Sequence, residues 1–147
     1  MSVPVSVILA HKGSEVATVT ADTPVSAVIA ELARRGVGAL VVSPDGRAVE
    51  GIVSERDLVR RLAEFGVECL DHPVADAMSL DVITCTPETT CDELMVTMTR
   101  RRFRHVPVVV AGELAGLVSI GDVVKSRLDE LEVQATTLEQ YVTGSSA

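Results

Sequence analysis

Apolar residues recur along this chain at two spacings, helical and strand-like, and the order in which the spacings follow one another occurs twice. Pro4–His11 reads as a short helical lead and Val16–Thr20 as a short strand, stopped by turn residues at Asp22–Pro24. A helix follows over Val25–Arg35, with Val25, Val28, Ile29 and Leu32 on one stripe. Val37–Ser43 and Ala48–Val53 are strands joined at Asp45–Gly46, and a closing helix opens near Ser54. The second pass repeats this. Pro73–Met78 is the lead and Val82–Thr84 the strand, with a stop at Pro87–Thr89. The helix is Thr90–Arg102, with Leu94, Met95 and Met98 inward. Strands Val106–Val110 and Leu114–Val118 turn at Gly112–Glu113, before a last helix near Ser119. Thr23 and Thr89 are candidate helix caps, Thr89 standing three residues ahead of Asp92.

The two passes are copies. GIVSERDLVR (Gly51–Arg60) stands over GLVSIGDVVK (Gly116–Lys125), with five of ten positions identical. VATVTADTPVSAV from Val16 stands over VITCTPETTCDEL from Val82, and VSVIL from Val5 resembles VADAM from Val74. Two copies without a third form a pseudo-twofold protein rather than an open solenoid. The order β-α-β-β-α, twice, makes an α/β (α+β) chain. The strands of one half leave an apolar face that its twin covers, in one compact module. Residues 3–68 form the first repeat, 69–128 the second and 129–143 a C-terminal helical extension.

That extension has no counterpart in the first copy. Val124, Leu128, Leu131, Ala135, Leu138 and Val142 form an apolar seam at heptad-like steps. The seam either pairs with its counterpart in a homodimer or folds along its own module, and Gly144–Ala147 fray beyond it.

Composition narrows the function. The 147 residues are 47% hydrophobic but only 2% aromatic, so a surface that stacks bases on aromatics is not expected. Thirteen Lys and Arg against 21 Asp and Glu leave a net charge of −8, which argues against nucleic-acid binding. Cys69, Cys85 and Cys91 have neither zinc-site spacing nor an even count, and Cys85, standing where the first copy has Val19, reads as a core thiol. The chain starts without a basic, then apolar, leader and has no apolar run long enough for a membrane span. A cytoplasmic protein is the expectation.

The repeated motif has its own chemistry. Ser54 and Ser119 stand where a strand ends and a helix begins, so a hydroxyl and free amides are available to a phosphate oxygen. Asp57 and Asp122 follow within the first turn, where a carboxylate can accept hydrogen bonds from both ribose hydroxyls. Helix capping alone explains the same residues without a ligand. Arg56 belongs to the first motif only, Gly121 standing in its place. The second half instead has Arg100, Arg101, Arg102 and Arg104 next to His105. Solvated cations at a helix end explain most of that cluster. Lys12 could reach a phosphate or simply face solvent.

The doubled unit, with GIVSERD and GLVSIGD in register, GALVV at Gly38–Val42 and RHVP at Arg104–Pro107, resembles a tandem pair of cystathionine-beta-synthase-type (CBS) domains. The resemblance spans roughly residues 3–128 and implies a stand-alone regulatory, signal-transducing protein, often assembled into flat dimers. It implies adenosine-containing ligands: AMP, ADP, ATP, NAD or S-adenosylmethionine. By the same resemblance Asp57 and Asp122 hold ribose, and Ser54 and Ser119 hold ribose and phosphate. Gly38–Ala39 and Arg104–His105, with Pro107 beyond, form the adenine-proximal edges, and Thr18 and Thr84 face the clefts. Two inequivalent clefts are expected, Arg56 marking the first and Arg104–His105 the second. No catalytic pair is recognised, so the expectation is a binding protein rather than an enzyme. A constitutive dimeric scaffold for another, regulated protein is the alternative, and a small nucleotide-processing enzyme a weaker third.

Overall fold

The computed structural model describes residues 2–143, so the expected fraying of Gly144–Ala147 lies outside the described residues. The chain runs α1 (Val5–Lys12), β1 (Thr18–Val19), α2 (Val25–Arg35), β2 (Ala39–Val42), β3 (Gly51–Ser54) and α3 (Glu55–Phe65). Two 3-10 segments, Gly66–Asp71 and Val74–Asp76, lead into α4 (Cys91–Arg101), β4 (His105–Val110), β5 (Glu113–Ser119) and α5 (Ile120–Val142). The first sheet has the order β1-β2-β3, parallel then antiparallel, and the second is the antiparallel pair β4-β5. The second lead is thus a 3-10 turn rather than a helix.

The expected strand Val82–Thr84 is absent, and the reason is Pro107. In the first repeat the Val41 and Ser43 amides donate to the Ala17 and Val19 carbonyls. Pro107 occupies the place of Val41 and has no N–H to donate. Only a bridge at Cys85 survives, through Cys85 N to Pro107 O at 3.0 Å and Val109 N to Cys85 O at 2.8 Å. Two turns also differ from expectation. Asp45 accepts the Arg47 and Ala48 amides at 2.8 and 2.9 Å, winding a loop that delays β3 to Gly51. The second hairpin turns one residue early, at Ala111–Gly112, both at positive φ.

The leads are exchanged between the repeats. Val5 and Ile8 of α1 pack with Leu94, Met98, Val106 and Val118 of the second half. Val74 packs with Val25, Leu40, Val53 and Leu58 of the first. The exchange also satisfies helix starts: Val25 N donates to His72 O and Cys91 N to Val3 O. Thr23 is therefore not the cap of α2; Pro24 stands there, with no side-chain cap. In α4 the cap is Thr90, boxed with Glu93, rather than Thr89. The motif glycines serve the same exchange, because a Cβ on Gly51 would lie 2.8 Å from Met78 Sδ and one on Gly116 2.8 Å from Leu9 Cδ2.

Helix α5 runs for 23 residues as one piece, about 34 Å at 1.5 Å per residue. Val123 is its buried residue, whereas Leu128 is 60% and Leu138 63% exposed. The seam does not fold along its own module.

Candidate ligand-binding site

Both motifs build the same local device. Ser54 ends β3 and caps α3: its hydroxyl accepts the Asp57 amide at 3.3 Å, and Asp57 Oδ2 accepts the Ser54 amide at 2.9 Å and the Ser54 hydroxyl at 3.0 Å. Ser119 and Asp122 repeat the box at the start of α5, with 2.9 and 3.2 Å for the reciprocal bonds. Capping is therefore real at both aspartates. It engages Oδ2 in each and leaves Oδ1 without a hydrogen bond among the described residues.

The surroundings separate the copies. Ser54, Asp57, Arg56 and Arg60 face a cavity of about 710 Å³ whose opposite wall includes Arg102, Arg104 and His105. Gly38 also lines it, and a Cβ added there would approach His105 Nε2 to 3.4 Å and Glu55 Oε1 to 3.6 Å. Four arginines and two acidic residues, Glu55 and Asp57, line it, so the lining is net cationic in a protein of net charge −8.

Asp122 lies instead on a groove of about 800 Å³ between α1 and α5. Lys12, at the end of the exchanged α1, donates to Asp122 Oδ2 at 2.6 Å and to the Leu117 carbonyl at 2.8 Å. Burial works to raise the Asp122 carboxyl, but the Lys12 ammonium and the Ser119 amide outweigh it and hold it below its ordinary value. The first copy closes the equivalent edge with backbone, Ile52 and Ser79 exchanging two hydrogen bonds at 3.1 and 2.8 Å. Burial, with help from Lys12 and Arg104, pushes the His105 imidazole down, against the pull of Asp122 and Glu55. The shift favours the uncharged imidazole, which is suited to cover a base.

The candidate residues therefore do not divide as expected. Gly38, Ser54, Arg56, Asp57, Arg104 and His105 share one cavity, so Arg104 and His105 sit on the first cleft, not only beside the second. The reason is the pseudo-twofold axis: Gly38 O accepts the Glu55 amide and Arg104 O the Ile120 amide, and these matching corners meet at Gly38 and His105. Ala39, the first residue of β2, and Pro107, the third of β4, are buried, while Thr18, Thr84 and Ser119 lie outside the cavity wall. Arg60 and Arg102 also line the cavity, although the sequence marks Arg102 only as one of a cluster that reads mostly as a solvated helix end. Arg60 follows Arg56 by one helical turn, a signal the motif contained. Arg102 ends α4 at φ 57, where the first repeat has Gly36 at φ 65, and only that comparison singles it out among its neighbours.

Cys85 and Cys91 are buried in the second core, and burial pushes the Cys85 thiol up to about 11, so it stays protonated and unreactive at neutral pH. Among the described residues no group of His, Cys, Asp and Glu could hold a metal ion, and no helix is long and apolar enough to cross a membrane.

The CBS domain model matches residues 12–64 and 74–129. The chain is 36% identical over 129 residues to a mitochondrial CBS domain-containing protein of Arabidopsis thaliana, covering 85% of this chain and 63% of that relative's length. Among solved structures, a CBS-domain containing protein from Agrobacterium tumefaciens is 43% identical, with a TM-score of 0.83 over 85% of this chain and 99% of that one. A CBS domain protein from Pyrobaculum aerophilum complexed with AMP is 28% identical, with a TM-score of 0.77 over 90% of this chain and 99% of that one.

Proposed function

The chain belongs to the CBS domain family as a tandem pair of repeats, and from that premise we propose a regulatory protein that binds an adenosine-containing ligand beneath Ser54–Asp57. The observation that carries this is the pairing of a free carboxylate oxygen, Asp57 Oδ1, with a cationic cavity at the start of a helix. The carboxylate would take ribose hydroxyls, the Arg56 amide at the start of α3 a phosphate oxygen, and His105 would lie against the base. The AMP complex of the Pyrobaculum protein supports the ligand class. ADP, ATP, NAD and S-adenosylmethionine are the other candidates.

No bond is made or broken in this reading. The cavity wall comes from both repeats, so a ligand spanning it favours one arrangement of the repeats over another. The exposed seam of α5 carries that change outward, to a second copy in a homodimer and to a regulated protein. Residues 3–68 and 69–128 act as the two repeats and 129–143 as the arm. Three free, buried cysteines suit the cytoplasm.

Calorimetric titration with the five ligands tests the reading. Asp57→Ala should lower affinity by about 10- to 100-fold, the worth of ~1–3 kcal/mol for lost hydrogen bonds to a buried hydroxyl pair. Asp122→Ala loses the same kind of cap and should leave that binding unchanged. If no adenosine compound binds at millimolar concentration, the protein is a constitutive scaffold.

A further inference from the structure

The ligand class of the first cleft can be narrowed, on the reading just given. Arg56 and Arg60 approach the cavity from α3 of the first repeat, Arg102 and Arg104 from the α4–β4 corner of the second. Among the described residues none of the four is in an ion pair, although the neighbouring Arg101 reaches Asp81. Four arginines outside any ion pair, lining one cavity from both repeats, leave it short of anions.

Arg102 is the telling member. Its backbone is left-handed, φ 57, a conformation in which a side chain is strained and glycine is not. The first repeat ends its matching helix with Gly36, which relieves that strain. The second repeat retains the strain at a residue that lines the cavity. A monophosphate offers four arginines fewer non-bridging oxygens and less negative charge than a di- or triphosphate chain does.

We propose that the first cleft selects nucleoside di- and triphosphates over monophosphates and S-adenosylmethionine, and that Arg102 sets this selection by holding the outer phosphates from the second repeat. Asp57 anchors the ribose end, and the phosphate chain runs from the start of α3 toward Arg102.

The full chain and its Arg102→Gly variant separate this role from a structural one, because glycine removes the strain together with the guanidinium. The variant should melt at the same or a higher temperature. By calorimetry the wild type should bind ATP at least about 10-fold tighter than AMP, and the variant should lose that margin while AMP affinity changes by less than about 3-fold. Inorganic tripolyphosphate, titrated alone, should bind the wild type and be lost in the variant. Equal affinity for ATP and AMP in the wild type, an undiminished ATP margin in Arg102→Gly, or no tripolyphosphate binding overturns the proposal. If tripolyphosphate binds through Arg102 but no adenosine compound binds, the phosphate cluster stands and the adenosine reading falls.

Discussion

Asp57 and Asp122 hold the same place in the two repeats, inside the same capping box, and meet opposite surroundings. Asp57 looks into a cavity lined by four arginines. Asp122 is already engaged by Lys12, in a groove where Lys12 and Lys125 face Asp122, Asp129 and Glu130. The difference originates in the exchanged leads. The first lead is a true helix of 8 residues whose last residue, Lys12, reaches the second motif. The second is a 3-10 turn, and the chain after it brings the Met78 side chain and the Ser79 backbone to the first. Duplication fixed the motif; the chain segments crossing between copies decide what each motif can hold.

The closing helices differ as much: α3 has 11 residues and α5 has 23. The greatest effect is expected from breaking that asymmetry. In the proposed homodimer Leu131 lies on a dry seam, and Leu131→Asp would bury a charge there. A weakening of self-association by at least about 100-fold is expected, since burying an unpaired charge costs well over ~2.7 kcal/mol. Sedimentation at several concentrations reads it. A wild type that stays monomeric at high micromolar concentration removes the dimer, and a variant that dimerises at full strength moves the interface off the seam.

A second contrast lies in the motif glycines. A Cβ at Gly51 would meet not only Met78 Sδ but the Ser79 carbonyl, also at 2.8 Å, and backbone cannot step aside. At Gly116 it would meet the two methyl ends of Leu9, at 2.8 and 2.9 Å, which can rotate away. Gly51→Ala should therefore destabilise by about 2–3 kcal/mol and Gly116→Ala by about 1 kcal/mol or less. Urea denaturation of the two variants checks the order, and equal costs would mean that the Ser79 strand edge yields as readily as a leucine.

Much of this was legible from residues alone. The period of 65 to 66, the bounds of Val25–Arg35 and the Ser–x–x–Asp boxes follow from local pattern, and the structure has them. What pattern could not supply was anything set by distant partners. The lost strand at Val82–Thr84 depends on a missing amide at Pro107, 23 residues beyond Thr84. The helix starts at Val25 and Cys91 are completed by backbone from the other half, so no local cap was needed. The family resemblance marks Arg104 and His105 as an adenine-proximal edge, but which cavity they line is set by the axis between the repeats. Lys12 could not be told from a solvent lysine, because Asp122 is 110 residues away.

Lys12 also gives the smallest and most specific expectation. Its ion pair with Asp122 is partly wet, with the side chains 37% and 23% exposed, so screening leaves it about 1 kcal/mol or less at pH 7. Lys12→Met should cost about that much there. The Asp122 carboxyl titrates below its ordinary value of 3.8 in the folded chain, so its pairing adds stability above that value. The contribution is lost as pH falls through the folded value, because a protonated carboxyl no longer attracts the ammonium. The gap between wild type and Lys12→Met, measured by urea denaturation, should therefore be widest at pH 7 and shrink by about pH 3 toward the small share owed to the Leu117 carbonyl. A gap unchanged from pH 7 to pH 3 would assign the whole effect to that carbonyl. It would leave Asp122 as open to a ligand as Asp57, and the two clefts would differ only in their arginines.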